Sequence, residues 1–177
     1  TPNGIYGLNG DGWEWAIGLR TNNGEIQILT GNNAAKNTAD LTAGSAEWKA
    51  ILPDGTLVAP GTAGTLKIDI VSSVPKISTT VKTTTSGDQW PSTPFKDLAV
   101  ESGITIPDIL KALAVFPSDS SDHGGDRFYA RNDGEKCFFR GGNWRSTSNA
   151  GVFSLSGYGP RSDSNDYLGF RPAYILL

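Results

Sequence analysis

The side chains able to do covalent chemistry are few: one histidine, His123, and one cysteine, Cys137. His123 stands in Asp-His-Gly-Gly, too isolated to complete a set of nucleophile, base and orienting acid. Cys137 precedes Phe138 and Phe139 in a run that reads as a strand, where a lone thiol is ordinarily inert packing. A single Cys also excludes an internal disulfide framework and any multi-cysteine zinc site within one chain. The carboxylates offer a second chemistry. Asp11 and Glu14, in GDGWEW, could fill part of the shell of about six to eight oxygens that calcium takes, and serve equally well as turn and capping residues. Asp119, Asp122 and Asp126 make a weaker acidic cluster in the loop SDSSDHGGD, and the long calcium-loop spacing of helix–loop–helix proteins is absent. We expect no enzyme activity, no required cofactor, and calcium, if bound at all, at Asp11 and Glu14.

Recognition chemistry is better represented. The stretch RGGNWRSTSNAGVFSLSGYGPRSDSNDYLGFRPA, residues 140–173, alternates rigid-looking words (RGGNW, AGVF, GFRPA) with small polar ones (RST, SGYG, DSNDY). Tyr158 and Tyr167 supply contact area at small entropic cost, Ser and Gly supply adaptable contacts, and Arg145, Asp163 and Asp166 can add charge-assisted hydrogen bonds. On composition alone the same residues describe an ordinary polar surface loop.

The frame that must hold them is loop-rich. Twenty-two Gly and 10 Pro among 177 residues put much of the backbone in turns, so the five Trp must anchor the fold. The length suits one domain spanning 1–177 with a sizeable core. A net charge of -3 without a Lys/Arg cluster sets nucleic acid aside, and no run is apolar enough to insert in a membrane. The start at Thr1, with no Met, reads as a fragment of a longer protein or a trimmed chain, so that any export signal or attachment domain would lie upstream.

AIGLR and EIQIL read as a hairpin through Thr21-Asn22-Asn23-Gly24, and Asn33 to Lys36 as a helical turn. WKAILPDGTLVAP reads as strand, turn, strand, and GTLKIDIVSS alternates Leu66, Ile68 and Ile70 with polar residues as a half-buried strand does. Residues 71–94 read as an insertion or linker, and their Ser/Thr-rich stretch STTVKTTTSGDQWPSTP (78–94) reads as a linker or an exposed strand, the linker only slightly preferred because Trp90 calls for burial. TIPDILKALAVF is the one convincing helix, with a capping box from Thr105 to Asp108, Pro107 in the first turn and Pro117 as the stop. FKDLAVES adds a helical turn before it. RFYARNDGEKCFFRGG reads as a hairpin through Asn132-Asp133-Gly134, and GFRPAYILL as a terminal strand. The fold class is α+β, with short antiparallel strands, one or two helices and many loops.

GIYGLNGDGWEW (4–15) resembles the G-L-Y-D-M-x-G-N-V-W-E-W word, and RGGNW…AGVF…GFRPA the closing R-G-G-S-W…G-F-R-x-A words, of the formylglycine-generating-enzyme branch of the C-type lectin fold. Within that branch the closer likeness is to the variable proteins of diversity-generating retroelements. Residues 140–171 align without a gap to their closing repeat, R-G-G-S/N-W-N-N-G-S-N-A-G-V-F-A-L-N-L-N-N-A-R-S-N-S-N-N-N-I-G-F-R. WKAI, TLVAPGTAGTLKID and GITIPDILKALAVFP resemble the body of phage-type members.

In that family, reverse transcription randomises template adenines, so Asn codons are where diversity arises. Arg145, Ser146, Ser156, Tyr158, Gly159, Asp163, Asp166 and Tyr167 each stand where the pattern has Asn, and all five residue types are reachable from an Asn codon through its adenines. Thr147, Ser154, Gly157 and Pro160 depart from the pattern at positions without such an Asn. The resemblance therefore implies a diversified binding surface of those eight residues on a scaffold that includes Trp13, Trp15, Arg140, Trp144, Phe153, Phe170 and Arg171. The three Trp could stack on a sugar, but read better as plugs of the core. Arg140 and Arg171 read as half-buried struts that satisfy loop carbonyls.

Some members of the branch hold calcium near the first word. Here Asp11 replaces Asn and Glu14 is retained. The oxidases of the branch bind copper through paired cysteines, and Cys137 has no pair. The implied function is receptor binding at a viral tail tip, facing the outside, with a host surface protein or glycan as partner and a homotrimer as assembly. The alternative is a cell-surface adhesin or lipoprotein of a bacterium or archaeon. An oxidase-type enzyme or an invariant structural virion protein ranks below both.

Overall fold

The computed structural model describes residues 10–31, 33–121 and 123–170. β1 (Trp13–Asn22) and β2 (Glu25–Leu29) form the first hairpin through Asn23 and Gly24. Both turn residues are left-handed, at φ 47° and 81°, the combination that a two-residue hairpin turn needs and Asn-Gly supplies readily. A side chain at Gly24 would also start 2.8 Å from the Ile68 carbonyl oxygen. WKAILPDGTLVAP gives β3 (Trp48–Ile51) and β4 (Leu57–Val58), joined by the Pro-Asp-Gly turn. In β5 (Lys67–Val71), Ile68 and Ile70 are buried as the alternation requires. Asp69 between them is buried too, because its carboxylate accepts the Lys82 and Thr83 amides at 3.0 and 3.1 Å.

Residues 71–94 are therefore not a linker. β6 (Val74–Ser78) folds back on β5 through Ser72 and Ser73, and β7 (Ser92–Pro94) pairs with β9 (Arg127–Ala130). Between them Thr85 N donates to Asn132 Oδ1 and Asn132 Nδ2 to Thr83 O, both at 2.8 Å. The Ser/Thr-rich run is sewn to the body by its own polar groups, which composition alone cannot distinguish from a solvated spacer.

The helix is also shorter than expected. α1 spans Asp108–Ala112 with Pro107, not Thr105, at its N-cap and no side-chain cap. Ile106 precedes proline, whose ring disfavours helical backbone at that residue, so a capping box cannot start at Thr105. At the other end Ala114 turns left-handed at φ 46°, before Pro117 is reached. The short helical turns at Asn33–Ala35 and Phe95–Asp97 form as expected, the latter leading into β8 (Ala99–Val100).

RFYARNDGEKCFFRGG supplies two strands, β9 and β10 (Glu135–Arg140), but no hairpin. β11 (Leu155–Gly159) lies between them, parallel to β9 and antiparallel to β10. The Asn-Asp-Gly turn bonds outward instead: Gly134 exchanges hydrogen bonds with Asn23 at 2.8 and 3.1 Å, and Asn132 holds the 83–85 segment. One sheet results, in the order β7-β9-β11-β10-β1-β2-β5-β6-β8, with β3 and β4 carried on β2. β12 (Leu168–Gly169) runs parallel to β1 at Trp13 and Glu14. Of the expected terminal strand, residues 171–177 lie outside the described residues. Ile26, Ile51, Leu66, Ile77, Phe95, Leu110, Phe128, Phe138 and Leu155 are fully buried and form the core under this sheet. The chain is thus mostly β with little helix.

Candidate ligand-binding cleft

A β-strand sends alternate side chains to opposite faces, and β11 uses both. Leu155 joins the core, and a Cβ on Gly157 would meet the Phe138 ring, whereas Ser156 and Tyr158 open on the other face. There Ser156 is in register with Tyr129 of β9 on one side and Phe139 of β10 on the other. These residues form the floor of a cleft of about 370 Å³. Trp13 of β1 extends the floor, its ring edge-on to Tyr129 with centroids 6.1 Å apart.

Three loops raise the walls. In the first, Asn143 Oδ1 accepts the Arg145 amide at 2.9 Å and the Ser146 hydroxyl at 3.2 Å, a local turn that aims Arg145, Ser146, Thr147 and Asn149 at the cleft. In the second, the Asp163 amide donates to Pro160 O at 3.0 Å and Tyr167 N to Asn165 Oδ1 at 3.2 Å, while Trp13 N fixes Tyr167 O at 2.8 Å. Trp90 comes from the third, the 86–91 loop, and stacks on Tyr158.

Six of the eight positions read from the sequence as diversified, Arg145, Ser146, Ser156, Tyr158, Asp163 and Tyr167, therefore line one cavity. Asp166 is exposed beside it, 3.8 Å from Arg145. Gly159 is different. It is buried, and a Cβ there would fall 2.4 Å from Phe139 Cζ and 2.6 Å from Asp163 Oδ2, so its expected place on the displayed surface is not realised. Trp90, Tyr129, Phe139, Asn143, Thr147 and Asn149 complete the lining and were not read as site residues. Trp90, expected to be buried, is 70% exposed instead, and no sequence signal pointed to the other five.

Burial raises the phenols of Tyr158 and Tyr129 above the usual tyrosine range, so both stay neutral donors. Arg145 is mostly exposed, its guanidinium 5.7 Å from both the Trp144 and Tyr167 rings. The cleft is thus aromatic below and polar above, with charge confined to its rim.

The scaffold residues divide. Trp13 and Trp15 are half-buried, Trp15 edge-on to Phe139 at 4.3 Å, and Phe153 stacks on Phe95 at 5.7 Å. Arg140 donates to the carbonyls of Leu113 and Ala114, the strut role expected of it. Trp144 does not plug the core. It is 52% exposed, because the Gly141-Gly142 turn sends the neighbouring Asn143 inward at 7%. Phe170 is exposed as well, and Arg171 lies outside the described residues.

Asp11 is exposed and Glu14 half-buried opposite Arg140 in the β1–β10 register. Among the described residues no three acidic, His or Cys side chains gather to hold a metal. The second acidic group disperses: Asp126 is buried and accepts the Phe153 amide at 2.8 Å, Asp119 accepts the Ser121 amide, and Asp122 lies outside the described residues. The His123 ring packs edge-on against both Phe95 and Phe153, with Nδ1 2.7 Å from Ser121 O. Cys137 sits in β10 beside a separate apolar cavity of about 330 Å³ shared with Trp15, Trp48 and Arg161, and burial pushes its thiol up. Among the described residues no helix is long and apolar enough to cross a membrane.

No protein-family model and no curated protein matches the chain.

Proposed function

We propose that the chain is a ligand-binding domain of C-type lectin fold, formylglycine-generating-enzyme-like, whose closing segment is diversified by a retroelement. It acts as the receptor-binding tip of a viral tail fibre, attaching to a molecule of the host surface. One observation carries the reading: six positions chosen only because they replace Asn in the family repeat converge on a single cleft. An ordinary polar loop has no reason to gather such positions around one cavity. The fold assignment draws support from the pairing of β1 with β10 and β12, which brings the two resembling words, distant in sequence, side by side. Loops on a rigid sheet suit this work, since surface substitutions away from caps and cores usually cost little. In a trimeric tip, several modest contacts gain by effective concentration.

Deep sequencing of the gene across a population of the element tests the reading. Substitutions should accumulate at codons 145, 146, 156, 158, 163, 166 and 167, with those for Phe138, Leu155 and Asn143 fixed. Variation that is absent, or spread evenly along the gene, sinks the diversification idea.

A further inference from the structure

We propose that the cleft takes the pyranose ring of a neutral saccharide, with the Trp90–Tyr158 stack as its platform. The proposal rests on the ligand-binding reading above and gives that site its chemical class. Trp90 is 70% exposed, and of the exposed aromatic side chains, Trp90, Trp144 and Phe170, it is the one that lines the cleft. Nor is it a loose side chain. Its ring lies 4.4 Å from that of Tyr158 with 29° between the planes, so Tyr158 covers one indole face, while the 70% exposure leaves indole surface open where Trp90 lines the cleft. A fixed, open indole face is what the C–H groups on one side of a pyranose pack against, by dispersion over a large flat contact.

The rest of the lining suits the ring's hydroxyl edge. Asn143, Asn149 and Ser156 present neutral amide and hydroxyl groups to the cavity, and Thr21 Oγ1 is the only fully buried side-chain polar atom left unpaired among the described residues. Ser156 and Asn143 are largely buried but, with Asn149, line the cavity, where their neutral polar groups can pair with a ligand. Charge argues the same way. Among the described residues Arg145 and Asp163 are the only charged ones of the lining, too few of either sign to select a phosphate or a polycation. A cavity of about 370 Å³ is concave enough to enclose a small ring, where a protein partner would more naturally meet a broad, flat patch.

Trp90, Asn143 and Asn149 lie outside the eight diversified positions, whereas Tyr158, Ser156 and Arg145 are among them. The fixed part thus supplies the indole and the two amides, and the varying part, Tyr158 included, decides whether the indole is held and which member of the class is taken.

The test is titration of the protein with the methyl glycosides of glucose, galactose, mannose and N-acetylglucosamine, read by tryptophan fluorescence and calorimetry at millimolar ligand. At least one glycoside should bind. Trp90→Ala should weaken it by about tenfold or more, as for an aromatic hot spot, and Trp90→Phe should restore much of the loss. An unchanged melting temperature in Trp90→Ala excludes misfolding as the cause. Arg145→Ser should change the order of preference among the glycosides without abolishing binding. No glycoside bound, or binding indifferent to Trp90→Ala, overturns the proposal. Capture of a host protein through Tyr158 and Tyr167, with no glycoside bound, overturns it while leaving the diversified binder intact. Glycoside binding through Trp90 in a gene that does not vary upholds it and removes the retroelement reading instead.

Discussion

Trp90 and Tyr158 stack across two segments far apart in sequence, with ring centroids 4.4 Å apart. Tyr158 is carried by the central strand β11, so the sheet sets the position of a ring on a surface loop. Stacked aromatic pairs couple by about 0.5–1.5 kcal/mol beyond the area they bury. A double-mutant cycle of Trp90→Ala and Tyr158→Ala, measured by urea denaturation, should return a coupling in that range. Additive losses would mean that the stack does not hold Trp90 in place.

Gly159 separates scaffold from display. Its missing Cβ makes room for the Phe139 ring, which is 5% exposed and packed against Trp15. Gly159→Ala should cost about 1–3 kcal/mol, the range for overpacking a filled site. Arg145→Ala, at an exposed position, should stay within about 0.5 kcal/mol. Urea midpoints of the two variants decide the point, and equal midpoints would remove Gly159 from the scaffold.

What the sequence made legible was local. Asn23-Gly24, Pro53-Asp54-Gly55 and the Ile68, Ile70 alternation depend on a few adjacent residues, and the strands follow them. What escaped was partnership between distant segments. Nothing near Ala130 or Glu135 says that β11 will enter between their strands, and nothing in a Ser/Thr-rich run says that Asn132 will bind its backbone. The site divides in the same way. The Asn positions of a repeat pattern brought out Ser156, Tyr158 and Tyr167, while Tyr129 and Asn143 reach the cleft through strand order and a glycine turn that no motif marks.

Arg140 offers a sharper test of the scaffold. Its guanidinium spans the carbonyls of Leu113 and Ala114, left open where α1 ends at the left-handed Ala114. Burial lowers its pKa, yet leaves it a cation. Arg140→Ala removes both donors, and an unpaired buried carbonyl costs about 1–3 kcal/mol. Arg140→Lys should recover only part of this, because a point charge cannot bridge two acceptors as a planar fork does. Hydrogen exchange should show the loss concentrated at the amides of 113–116.

Acid stability should trace to the turn that crosses from β9 to β10. Burial alone would raise the Asp133 carboxyl, but hydrogen bonds from Arg131 at 2.8 Å, from Thr85 and from Lys136 at 3.2 Å outweigh it and hold it well below the usual carboxylate range. Glu135 is lowered as well: burial opposes the shift, and Arg161 and Arg20, each at 2.7 Å, overcome it. Both groups bind a proton less readily folded than unfolded. Their contribution is therefore complete above the unfolded values, about 4 for carboxylates, and is lost as pH falls through the lower folded ones. The melting temperature should hold steady from pH 7 to about 5 and fall below about 4. Asp133→Asn should lower the plateau and flatten the fall, since the group that titrates is gone. A fall of unchanged steepness in both Asp133→Asn and Glu135→Gln would place the acid sensitivity elsewhere in the molecule.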